Sequence, residues 1–162
     1  MNFSHARLRR LSAEQLLDSL SQVTGVEELF HGLPPGMRAV EIATVGAGSH
    51  FLKLFGRPKR TTTCTCERAS EPSLPQILHL LNGSGVKNRL SAKGGAVRKL
   101  LAADSSDSKL VEGLYLAVLS RFPSQRERQR ATRYLRKSKD HAAGAEDLMW
   151  ALINSHEFLF NH

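Results

Sequence analysis

Residues 106–138, SDSKLVEGLYLAVLSRFPSQRERQRATRYLRKS, decide the fold class, because they read as two helices joined by a sharp corner. Ser106 is placed to cap the first, and Leu110, Val111, Leu114, Tyr115, Ala117 and Val118 recur at the spacing of one buried helical face. Pro123 lacks a backbone N–H and restricts Phe122, so this helix is predicted to stop near Arg121. Ser124 and Glu127 then form a capping box, opening a second helix to about Ser138 with Ala131, Tyr134 and Leu135 facing inward. Arg126, Arg130, Arg133 and Lys137 fall at i, i+4, i+7 and i+11, a basic stripe along one face and the candidate surface for an acidic partner.

Toward the C-terminus a last helix is predicted over about 143–155, with Leu148, Met149, Leu152 and Ile153 apolar. Phe158, Leu159 and Phe160 continue that surface, and Trp150 helps to close the core. Toward the N-terminus, short helices are expected near 95–103 and 86–91, separated by Lys93-Gly94-Gly95. A further helix is expected over 74–82, with Ser73 as N-cap and Asn82-Gly83 as terminator, Gly83 taking positive φ. Ser49 to Phe55 reads as a short helix with Phe51, Leu54 and Phe55 inward, stopped by Gly56 and Pro58.

Residues 26–60 are rich in Gly and Pro and lose the helical period, so they read as a long loop; Val40, Ile42 and Val45 suggest a short extended piece over 39–45. Gly46-Ala47-Gly48 lacks both a third glycine and a GK[ST] continuation, and is not a nucleotide motif. Ser12 and Gln15 make another capping box, Leu16, Leu17, Leu20 and Val23 a buried face, and Gly25 a C-cap. The expectation is one all-α domain over residues 1–162, an irregular bundle of about six to seven helices with a long loop region near 26–60.

At 162 residues, with 41% hydrophobic and 23% charged residues, the chain has a globular composition. No apolar run approaches the roughly 20 residues of a membrane span, and residues 1–15 contain no apolar signal core, so this stretch alone predicts a cytoplasmic chain. The net charge is +8, and the excess lies early: Lys and Arg outnumber Asp and Glu by 8 to 5 over residues 1–60 and 6 to 2 over 61–103, but only 9 to 8 thereafter. Such a balance permits nucleic-acid contact, although no nucleic-acid motif accompanies it.

Cys64 and Cys66 are the evident chemical candidates, with His50 and His79 as weak companions. A zinc centre needs about four ligands, and His50 and His79 stand 14 and 13 residues from the pair, which matches no finger spacing. Inert thiols are therefore expected, with metal or redox use and a disulfide as alternatives; no metal, cofactor or catalytic residue is assigned. Glu67, Arg68 and Glu71 are read as a local network fixing the turn before the 74–82 helix.

Five ordered segments, RRLSAEQLLDSLSQVTG, FLKLFGRPKR, CTCERASEPSLPQILHLLNG, LYLAVLSRFPSQRE and EDLMWALINSHEFLFNH, resemble the C-terminal half of the planctomycete PSD-one domain, a family of unknown function. The resemblance implies a preceding helical half, neighbouring planctomycete or cytochrome-c-like domains, and export to the cell envelope. It implies no haem role here, since C-x-x-C-H is absent. Thr65 stands where the family pattern CECER carries an acid, and Lys109 where a capping-box glutamate is expected. The function expected is a non-enzymatic structural or protein-interaction module, with a protein partner or homo-oligomer covering an apolar patch; the alternatives are a cysteine-centred metal or redox protein and a basic nucleic-acid-binding module.

Overall fold

The hairpin predicted at 106–138 forms, with boundaries that differ in detail, and packs against the C-terminal helix. In the computed structural model of the chain, residues 9–42, 49–55, 83–103 and 106–161 are described. They contain eight α-helices, six of them of seven residues or more: α1 (Ala13–Thr24), α2 (His50–Leu54), α3 (Ser84–Leu90), α4 (Ala96–Ala102), α5 (Asp107–Leu119), α6 (Gln125–Lys137), α7 (His141–Ile153) and α8 (His156–Leu159). A two-residue antiparallel pairing joins β1 (Arg9–Arg10) to β2 (Phe160–Asn161), extended by a hydrogen bond from Leu11 N–H to the Leu159 carbonyl of 3.0 Å. The all-α class holds; the helix near 74–82 lies outside the described residues.

α7 is the central helix, packing against α3, α4, α5, α6 and α8, while α1 packs against α2 and α4. Its sequence explains the position. Small residues at one end, Gly144 and Ala145, let α6 come close: a Cβ on Gly144 would lie 2.9 Å from Ser138 Cβ and 3.5 Å from Leu135 Cδ2. Farther along, Met149 and Ile153 are fully buried. The core is completed by Leu16, Leu17 and Leu20 from α1, Leu52 from α2, Leu110 and Leu114 from α5, and Leu135 from α6. At about 25 cal/mol per Å² of apolar surface removed from water, this burial is the main force holding the helices together.

Two capping boxes are present as expected, at Ser12/Gln15 and Ser124/Glu127, and Gly25 ends α1 at φ 67°. Other boundaries differ. α5 ends at Leu119, with Ser120 left-handed at φ 54° and its N–H on the Leu116 carbonyl, and Ser106 makes no side-chain cap. Asp140 caps α7 through Ala142 N–H, so the helix begins two residues ahead of expectation.

Gly83 is a larger correction. It is the N-cap of α3 with φ −66° and ψ 126°, a conformation open to any residue, so the left-handed terminus expected there is absent. The extended segment expected over 39–45 is also corrected where it is described. Ala39–Glu41 is a 3-10 turn, and the Asp18 carboxylate accepts hydrogen bonds from Ala39 N–H at 2.6 Å and Val40 N–H at 3.2 Å. A carboxylate from α1 thus satisfies the orphan donors of a turn 21 residues away, which β-propensity at Val40 and Ile42 could not outweigh.

Candidate functional site

The capping box that starts α6 also determines its electrostatics. Ser124 N–H donates to Glu127 Oε2 at 2.7 Å, and Glu127 N–H donates to Ser124 Oγ at 3.4 Å. Arg121 then closes on the same carboxylate: Nη1 donates to Glu127 Oε2 at 3.0 Å and Nη2 to Oε1 at 2.8 Å. Its Nε and Nη2 donate to the two oxygens of Glu157 at 2.6 and 2.8 Å, with the guanidinium carbon 5.5 Å from the centroid of the Tyr115 ring. One arginine therefore clamps the end of α5, the start of α6 and α8.

Hydrogen bonds from Arg121, and then from Ser124, hold the Glu127 carboxyl down at about 2. The two glutamates in turn raise the Arg121 pKa. A depressed carboxylate stabilises the fold fully above its unfolded value, near 4.5, and that contribution disappears as pH falls through the folded value. Both partners are about one-third exposed, so screening leaves about 1 kcal/mol of the contribution. Chemical denaturation should show Glu127→Gln costing about that much at pH 7 and almost nothing near pH 2. An equal cost at both pH values would rule out the ionic clamp.

With Glu127 occupied in this way, the outer face of α6 has no acid of its own. Residues 125–137 contain six Lys or Arg and one Glu. Arg128 Nη1 pairs with Glu112 at 3.0 Å and Arg136 Nε with Asp107 at 3.3 Å, both toward α5. Arg126, Arg130, Arg133 and Lys137 are all exposed, on the side opposite buried Ala131 and Leu135, and none has an acidic partner among the described residues. The stripe predicted from spacing is thus brought together as a continuous face. Tyr134 is a correction: expected inward, it is 47% exposed, because its hydroxyl reaches across to donate to Asp147 Oδ2 at 2.8 Å. That bond raises the phenol pKa.

Beside the stripe, α5 and α6 border an open groove of about 500 Å³ that includes Ser108, Thr132, Arg133 and Lys137. A second groove, about 430 Å³, lies between α1 and residues 25–38; Asp18, which borders it, is already engaged in holding the 3-10 turn. His50 begins α2 and is exposed, whereas Cys64, Cys66 and His79 lie outside the described residues. Among the described residues, no three His, Cys, Asp or Glu side chains gather as a metal site, and no helix is long and apolar enough to cross a membrane.

A family model described as PSD1, protein of unknown function (DUF1553), matches residues 1–135. The chain belongs to the PSD1 family. Comparison with curated proteins yields no match, and comparison with solved structures yields none. The PSD1 match stops at residue 135, two residues before α6 ends and ahead of α7, yet α7 packs against four helices within or overlapping the matched region. The folded unit of this PSD1 chain therefore extends beyond the matched residues.

Proposed function

We propose that this PSD1 chain is a non-enzymatic protein-interaction module whose outer α6 face receives an acidic surface of a partner protein. The observation that carries the reading is the segregation of charge on one helix: Arg128 and Arg136 are paired with acids of α5, whereas Arg126, Arg130, Arg133 and Lys137 face solvent without acids among the described residues. A cationic face of this kind speeds encounter and fixes register more than it adds affinity, since exposed ion pairs contribute about 0.2–1 kcal/mol each. Exposed Phe122, just ahead of α6, and Tyr134 on it supply apolar area that such a contact can bury.

The test places a photo-cross-linking residue at position 130 in the native host, followed by binding measurements with the purified captured partner. The expected result is a protein whose binding weakens as salt rises and falls at least about tenfold when Arg126, Arg130, Arg133 and Lys137 are all changed to Glu. A partner bound equally well by that variant overturns the reading, as does cross-linking dominated by nucleic acid. Sedimentation of the same pair of proteins determines whether the partner is a second copy: self-association lost in the variant would identify it as one.

A further inference from the structure

The groove flanking α6 differs in chemistry from the outer face. Its rim combines cations with neutral hydrogen-bond donors: Arg128, Arg133, Arg136 and Lys137 stand with Ser108, Thr132 and Gln129 around about 500 Å³ of open space. Two acids border these cations, and both are engaged. Glu112 forms an ion pair with Arg128 Nη1 at 3.0 Å, and Asp107 takes Arg136 Nε at 3.3 Å and His141 Nε2 at 3.0 Å. Neither contact uses the terminal nitrogens of Arg136, and Arg133 and Lys137 have no acidic partner among the described residues. Four positive charges thus meet two negative ones, with two hydroxyls and an amide to complete the hydrogen bonding.

We infer that this groove binds a dianionic oxyanion group, the phosphomonoester end of a larger molecule. A tetrahedral dianion presents three or four acceptor oxygens, matching guanidinium forks together with hydroxyls better than a flat monovalent carboxylate does. The groove is also far larger than a single phosphate needs, leaving room for the ester substituent. This goes beyond the acidic-partner reading and does not rest on it, since the groove lies on the α5 flank of α6 and takes its ligand with no protein bound.

The experiment titrates the isotope-labelled chain by NMR with inorganic phosphate, inorganic sulfate, phosphoserine, and vesicles of phosphatidylcholine with and without phosphatidic acid. The expected result is saturable shifts of the Gln129, Thr132 and Arg133 amides, with Arg133→Gln and Lys137→Gln each weakening binding about tenfold. Arg126→Gln and Arg130→Gln, on the outer face alone, should leave it within about twofold. Preference for phosphoserine over inorganic phosphate supports a soluble ester as the source; preference for the phosphatidic acid vesicles supports a lipid headgroup. Shifts that do not saturate, or equal weakening by all four variants, overturn the site and indicate diffuse charge. Because Arg133 and Lys137 border both surfaces, Arg126→Gln and Arg130→Gln test the protein partner alone and the phosphate titration tests the oxyanion alone, so either proposal can fail without the other.

Discussion

Gly95→Ala is expected to destabilise the fold by about 2 kcal/mol, through crowding rather than backbone strain. Gly95 is the N-cap of α4 with φ −73° and ψ 169°, which alanine adopts readily. The obstacle is its surroundings. An added Cβ would lie 3.1 Å from the Ala92 carbonyl oxygen, 3.2 Å from that of Thr24 and 3.3 Å from that of Arg89. These oxygens belong to the end of α1, the end of α3 and the turn that joins α3 to α4, so the backbones of three segments must separate together. From the other side the junction is in ordinary contact, the Cβ position of Gly25 being 3.4 Å from Ala96 N. Urea unfolding of Gly95→Ala beside Gly83→Ala, whose backbone carries no positive φ, is the direct measurement. Equal losses in the two variants would mean that the junction opens at little cost.

Leu114→Ala should cost more, about 3 kcal/mol or above, because it removes a side chain with 0% exposure from the middle of α5. α5 packs against α4, α6, α7 and α8, so the cavity would be walled by several helices and could not collapse by moving one. On the same helix Leu116 is 41% exposed, and its change to Ala should stay within about 0.5 kcal/mol. The comparison can be made by calorimetry or denaturant titration. A loss at Leu114 no greater than that at Leu116 would show that α5 is not the centre of the core.

What the sequence disclosed, and what it hid, divides by range along the chain. The capping boxes at Ser12/Gln15 and Ser124/Glu127 and the C-cap at Gly25 are each complete within a few residues, so they could be read directly. The basic stripe was legible for the same reason, since four cations at helical spacing need only a helix to align them. Hidden features depend on distant partners. Asp18 reaches the 3-10 turn from 21 residues away, Arg121 reaches Glu157 across 36, and Arg89 of α3 binds Glu28 and the Val26 carbonyl across more than 60. Tyr134 has an inward helical register, but its hydroxyl found Asp147 on the neighbouring helix and the ring stayed at the surface. The groove beside α6 was invisible because its other wall is the neighbouring α5 at Ser108, whose place depends on how the hairpin packs.

Residues 9–11 and 159–161 run side by side, so the chain comes into the described bundle and leaves it through one narrow gate. A bundle with this topology can be spliced into a surface loop of a host protein without prying that loop apart. It can also be rewired: a short linker across the gate and a cut at exposed Lys139, between α6 and α7, would reorder the helices while leaving every buried contact available. In such a permutant the basic helix would become a free end, carrying its charges on the most accessible segment of the molecule.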